Sequence, residues 1–256
     1  MTSHATYEDV TVDVDDDYVA TVTIHRPPNN FFDYKLVASI RAAFEDIDDN
    51  PEARAIVLGS EGKHFCAGGD FMSPEEELVP PLYRDAVALF ACKTPVVARV
   101  QGAAIGGGIG LAMVCDFRVA APEARFSANF SLLGFHHGMG LTVTLPRAVG
   151  QQVALEVLYT GRRFKGEEAY QMGLCDELVP LDQLEAAAHR RAATIAAAAP
   201  LSIRAIRETM RGDLHALVRA ATGREAQEQY LLETTNDFAH GVSTYFARET
   251  PNFTGT

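Results

Sequence analysis

"GAAIGGGIGLAMVCDF", Gly102 to Phe117, places five glycines in its first nine residues and then continues as an apolar run. Glycine costs about 1 kcal/mol relative to alanine inside a helix, so a segment that keeps this many has a use for bare backbone. Four uses compete: a phosphate cradle, a dinucleotide turn, a notch for close packing, and a helix terminus that holds an anion. A P-loop needs GxxxxGK followed by Ser or Thr, and no Lys follows these glycines. The GxGxxG fingerprint fails on spacing, because counting from Gly106 the sixth residue is Leu111 and counting from Gly102 the third is Ala104. The packing notch and the anion site stay open. In the second case the strand 95–101 runs into a glycine turn and a helix starts near Gly107. The first N–H groups of that helix have no internal acceptor and sit at the positive end of its dipole.

Working outward, "VTVDV" (10–14) and "YVATVTIHRP" (18–27) are β-rich and flank an acidic turn, "DDD". "YKLVASIRAAFEDIDDN" (34–50) spaces Leu36, Ile40, Phe44 and Ile47 along one helical face. "RAIVLGS" (54–60), "TPVVARVQG" (94–102) and "DFRVAA" (116–121) read as short buried strands. Strand and helix in alternation predict an α/β fold with a largely parallel sheet and crossover helices. After about residue 180 the pattern is helical throughout, with Pro200 and Gly223 as the expected interruptions. The chain thus divides into a core over 1–180 and a helical section over 181–256. The "AAAA" run at 196–199 belongs to that helical pattern.

The formal net charge of −12 argues against nucleic acid or an anionic membrane as main partner. It leaves room for a small anionic ligand held by a local basic cluster. No apolar run reaches the roughly 18 residues of a membrane span. The acidic N-terminus lacks the charged-then-apolar pattern of an export signal, so a cytoplasmic protein is expected. Cys66, Cys92, Cys115 and Cys175 are scattered without a CxxC pair, which predicts neither a metal site nor a disulfide framework.

A second glycine turn stands in "SEGKHFCAGGDF" (60–71), where Gly68 and Gly69 follow a buried strand and precede Asp70. Two such turns at neighbouring strand ends can aim two N–H donors at one oxygen, the arrangement of an oxyanion hole.

These segments, with "HRPPNNFFD", "KTPVVARVQGAAIGGGIGLAMVCDFRVAA", "FSANFSLLG", "LPRAVGQQVALEVLYTGRRFKGEEAYQMGLCDELVP" and "NDFAHGVSTYFARETPNF", resemble the crotonase superfamily, also called the enoyl-CoA hydratase/isomerase family. The resemblance implies a spiral of ββα units whose C-terminal helices build trimers or hexamers. It implies an acyl-CoA thioester as ligand, coenzyme A arriving as part of the substrate with no permanently bound cofactor. The thioester oxygen would lie between the N–H groups of Gly69 and Gly107, with Cys66 and Ala67 lining the same turn. Arg26 and, near the adenine end, Arg248 and Phe253 are the expected coenzyme contacts.

The family's hydratases carry one catalytic Glu two residues after the triple glycine and another four residues after the first Phe of "FSANF". Here those positions hold Gly110 and Phe130. Hydration needs one group to activate water and another to protonate carbon, so two-Glu hydration is not expected. His137 stands three residues after Gly134, where related branches carry an acid or base, and is the expected replacement, with His136 as second choice. Phe130 and Phe135 are expected to shape an apolar acyl site, and Ser127, Asn129 and Ser131 to offer hydrogen bonds there. Asp70 and Asp116 read as structural, and Glu75, Glu76 and Glu77 as a solvated helix start. The expected activity is lyase or isomerase chemistry through a thioester enolate. The alternatives are a catalytically silent acyl-CoA binder and a carbon–carbon hydrolase or decarboxylase of the same fold.

Overall fold

The computed structural model describes residues 3–69 and 79–256. Asp70 and Glu75 to Glu77 lie outside the described residues. The acidic triplet turns a hairpin between β2 (Val10–Val14) and β3 (Val19–Ile24), which pair antiparallel. Asp15 makes the turn, its Oδ1 accepting from the N–H groups of Asp17 at 2.9 Å and Val19 at 3.1 Å. A strand the periodicity did not indicate, β1 (Ser3–Tyr7), adds antiparallel to β2. From β3 onward the pairing is parallel, through β4 (Ala55–Ser60), β5 (Val96–Val100), β7 (Phe117–Ala120) and β10 (Glu177–Leu178). Among the described residues this sheet runs β1-β2-β3-β4-β5-β7-β10. A smaller sheet joins β6 (Ala103–Ile105), β8 (Arg125–Ser127) and β9 (Phe164–Lys165).

The large sheet is covered on both faces, which is why all of β4 is buried and reads as a continuous apolar run. Ile56 and Leu58 point into the main core with Leu36, Ile40 and Phe44 of α1 (Tyr34–Asp49). Each such fully buried side chain contributes about 2 kcal/mol of apolar transfer. Ala55 and Val57 point the other way, onto Leu184, Ala187, Ala188, Ala192 and Ala196 of α7 (Leu184–Ala196). The alanine-rich sequence keeps α7 thin enough to lie close on the strands. It ends at Ala196, so residues 197–199 of the "AAAA" run form the turn rather than more helix.

The remaining helices position the site. They are α2 (Val79–Leu89), α3 (Gly107–Val114), α4 (Leu141–Val149), α5 (Gln151–Thr160), α6 (Gly166–Gln171), α8 (Pro200–Arg211), α9 (Leu214–Leu232) and α10 (Asn236–Ala247). Pro200 opens α8 as expected, but Gly223 lies inside α9 and interrupts nothing. The glycine's cost of about 1 kcal/mol is outweighed because Val218, Thr222, Glu225 and Gln229 form a continuous buried stripe on that helix. The break between α8 and α9 falls at Gly212 instead, where φ is 51°. Asp116 locks α8 to the sheet, accepting from Val96 N–H at 2.8 Å and pairing with Arg207 and Arg211, each at 2.9 Å. No helix among the described residues is long and apolar enough to cross a membrane.

Candidate active site

The glycine-rich segment contains more structure than a tight turn. Residues 103–105 form β6, and α3 follows, buried along its whole length with no solvent face. Gly106 links them at φ 54°, a backbone conformation that side chains disfavour, and its N–H donates to Ser127 O at 2.8 Å. At Gly108 a Cβ would stand 2.1 Å from the Cys66 carbonyl oxygen, so only glycine lets α3 approach the 65–69 turn this closely. That turn is held by Cys66, whose N–H donates to Ala103 O at 2.9 Å and whose carbonyl accepts from Ile105 N–H at 3.0 Å.

This contact brings Gly69 and Gly107 onto the wall of one cavity of about 720 Å³. Gly107 is the first residue of α3, so its N–H has no acceptor within the helix. Gly69 faces Phe32 in an isolated parallel bridge in which Phe32 N–H donates to Gly68 O at 3.0 Å. That pattern leaves the N–H of Gly69 itself outside the ladder. Two glycine turns thus line one space, each with a backbone N–H outside the regular hydrogen-bond pattern, and at Gly107 a Cβ would meet the Phe32 ring at 2.6 Å.

The rest of the wall is largely apolar, with Phe32, Leu82, Ile105, Phe130, Leu133 and Phe135 contributing. Gly110 does not open onto it. A Cβ there would meet Met139 Cβ at 2.3 Å, so Met139 occupies the space a side chain at position 110 would need. Met139 takes φ 61° to do so, uncommon for a non-glycine residue. Phe130 lines the cavity from the 3₁₀ helix Asn129–Leu133. Asn129 also faces the cavity, whereas the Ser127 and Ser131 hydroxyls donate to Gly161 O at 2.7 Å and Tyr159 O at 3.0 Å.

Charged groups on this wall are few among the described residues: Arg26, Asp33 and Glu233. Arg26 contacts Asp9 and Asp33, each at 2.6 Å, so its charge is shared with two carboxylates. Tyr83 donates to Gln229 Oε1 at 2.6 Å, and Gln229 Nε2 donates to His136 O at 2.8 Å. Burial raises the Tyr83 phenol above its ordinary range, so it remains protonated. Tyr83, Gln229 and Glu233 were not anticipated from the sequence. The four-residue step from Gln229 to Glu233 was legible, but nothing linked it to Tyr83 on a helix 146 residues away.

His136 and His137 line a different, adjoining cavity of about 490 Å³. Phe130 and Phe135 line both cavities and form the partition between them. His137 Nε2 lies 2.8 Å from Thr142 Oγ1, which donates to Glu225 Oε1 at 2.6 Å. Glu225 is buried and also accepts from the N–H groups of Gly140 at 2.9 Å and Thr142 at 3.1 Å, anchoring the start of α4 to α9. Burial, reinforced by the neighbouring His136, lowers the His137 pKa to about 4, so its ring is neutral at pH 7. The rings of His136 and His137 stack with centroids 4.2 Å apart.

Among the other expected contacts, Ala67 lines the main cavity, while Cys66 is fully buried behind it. Burial pushes the Cys66 thiol up to about 12, which leaves its backbone as its contribution. Arg248 caps α10 at φ 59° and Phe253 packs edge-on against His240 at 6.3 Å, and neither lines either cavity. The C-terminal segment reaches the cavity earlier, through Tyr245 and Phe246.

Comparison with known proteins adds to this geometry. The sequence model of the family described as Enoyl-CoA hydratase/isomerase matches residues 15–256. The chain is 38% identical over 215 residues to the probable enoyl-CoA hydratase EchA14 of Mycobacterium tuberculosis, covering 81% of this chain and 83% of that protein. It is 30% identical over 264 residues to the (E)-benzylidenesuccinyl-CoA hydratase of Thauera aromatica, covering 96% and 99%. The crystal structure of an enoyl-CoA hydratase/isomerase from Pseudoalteromonas atlantica superposes with a TM-score of 0.87 at 29% identity, covering 96% of this chain and all (100%) of that one.

Proposed function

The chain belongs to the enoyl-CoA hydratase/isomerase family, and on that premise we propose that it processes an acyl-CoA thioester through an enolate held at Gly69 and Gly107. The observation that carries the reading is the shared cavity: two glycine turns offer backbone donors to one largely apolar space of about 720 Å³. A thioester oxygen placed between those donors gains negative charge as the α-proton leaves. Preorganised N–H groups stabilise that charge more than they stabilise the neutral carbonyl, which is the requirement for lowering the barrier. The apolar wall strengthens each donor by excluding water. Coenzyme A enters and leaves with the substrate.

Lyase or isomerase chemistry fits this site better than two-carboxylate hydration. At the two positions where the resemblance puts carboxylates, Gly110 is closed off by Met139 and Phe130 presents an aromatic ring. Proton transfer by His137, the replacement expected from the sequence, requires Phe130 to swing aside, because the histidine lies beyond the shared partition. Assembly into homotrimers, singly or as paired trimers, follows the same reading. The exposed Ile206 and Met210, four residues apart on one side of α8, supply an apolar patch for such contacts.

The test is a panel of saturated, enoyl- and malonyl-type CoA thioesters read by thermal unfolding and by turnover. Binding to the folded state raises the melting temperature by mass action. Stabilisation with turnover of enoyl esters is the expected result. Stabilisation without any turnover identifies a silent binder, and turnover of malonyl-type esters alone identifies a decarboxylase. No stabilisation by any CoA thioester overturns the reading.

A further inference from the structure

The two carboxylates on the main cavity wall differ in what they already hold. Asp33 has both oxygens engaged: Oδ1 accepts from Leu36 N–H at 2.8 Å as the cap of α1, and Oδ2 pairs with Arg26 at 2.6 Å. Glu233 lines the same cavity, and its carboxylate has no hydrogen-bond or ion-pair partner among the described residues. Its placement follows from α9. The buried stripe Val218, Thr222, Glu225, Gln229 steps by three or four residues, and the next step is Glu233, just past the last turn. Gln229, one turn earlier, is fixed between Tyr83 and the His136 carbonyl. The helix end is therefore clamped while the carboxylate beyond it stays uncommitted. As a residue Glu233 is exposed, yet the protein around its carboxyl raises its pKa by desolvation, moving it toward the range of an effective proton acceptor.

We propose that Glu233 is the proton-transferring carboxylate of this cavity, acting on the α-carbon of the acyl-CoA whose thioester oxygen rests at Gly69 and Gly107. The inference rests on the acyl-CoA reading above. With a 3-enoyl thioester, the Glu233 carboxylate takes the α-proton. The C–H electron pair becomes the Cα–C1 double bond of a dienolate, and negative charge collects on the thioester oxygen facing the two glycine N–H groups. The protonated Glu233 then returns the proton to the γ-carbon, giving the 2-enoyl thioester, or to the α-carbon, regenerating the starting ester. Atoms and charge balance without any further reactant. Glu233 is a catalytic residue in this step, while Tyr83 and Gln229 are positioning residues that fix the helix end carrying it.

The experiment uses 3-butenoyl-CoA in deuterium oxide, with binding followed by calorimetry and deuterium incorporation and crotonyl-CoA formation followed by NMR. The wild-type chain is expected to bind the ester and to exchange its α-protons. Glu233→Gln should bind within about threefold of wild type while exchange falls by roughly 100-fold or more, the usual size of a lost general base. Glu233→Asp, which keeps the carboxylate one methylene further back, should recover part of the exchange. Two outcomes overturn the proposal: exchange at the wild-type rate in Glu233→Gln, or wild-type binding with no exchange. Failure of the wild-type chain to bind 3-butenoyl-CoA overturns the acyl-CoA reading itself, so the two failures are distinguishable.

Discussion

The two adjoining cavities share Phe130 and Phe135 but are built from different materials. On one side the polar groups at the glycine turns are backbone N–H groups at Gly69 and Gly107, placed by strand ends and a helix start. On the other they are side chains, the His137–Thr142–Glu225 chain that ties α4 to α9. Backbone donors persist through sequence change so long as small residues keep the approach open, whereas a side-chain network depends on each member. The contrast teaches that histidines next to a cavity can serve the scaffold, as His137 does through Thr142 and Glu225, while on the proposed reading the glycines serve the chemistry.

The largest effect expected on this contrast comes from removing a backbone donor. Proline is compatible with the first position of a helix but lacks the N–H. A Cβ at position 107 would stand 2.6 Å from Phe32 Cε1, so the change is made in a Phe32→Ala background that provides room. Relative to Phe32→Ala alone, Phe32→Ala/Gly107→Pro should lose about 100- to 1000-fold in turnover. Equal turnover in the two folded variants breaks the assignment.

Next in size is the pH response of the histidine cavity. The folded His137 ring takes up a proton only near pH 4, and the unfolded ring near its ordinary value of 6.5. Its contribution to stability is therefore complete above 6.5 and is lost as pH falls from 6.5 toward 4, because protonation favours the unfolded chain. Between pH 7 and 4.5, urea unfolding should show about 2–3 kcal/mol more loss in wild type than in His137→Asn. Parallel pH profiles would remove His137 from the buried, neutral role given to it.

The smallest effect concerns Met139, which lines the main cavity and fills the space beside Gly110. Gly110→Glu forces Met139 to move and should destabilise by about 1–3 kcal/mol through overpacking. Adding Met139→Gly supplies both space and a residue at ease at φ 61°, and should recover at least half of that loss in thermal unfolding. If Gly110→Glu alone unfolds at the wild-type temperature, Met139 does not close that position.

Much of the framework was legible because its signals are local. The strands at 10–14, 54–60 and 94–102 and the helix at 34–50 were readable from runs and periodicity, and each lies within a residue or two of its expected bounds. The short strands β6, β8 and β9 were not readable, because two or three residues carry no period and their pairing depends on partners far along the chain. Gly223 misled for the opposite reason: a local breaker was overruled by the buried face of α9.

What the sequence determined by itself was the α/β alternation, the family, and the presence of two glycine turns at strand ends, since spacing and residue type along the chain encode all three. Only the tertiary structure decided that both turns face one cavity, that Met139 fills the space beside Gly110, that the histidines lie behind Phe130, and that Glu233 completes the wall. Those are facts about which side chains meet across long sequence separations, and packing, rather than local preference, sets them.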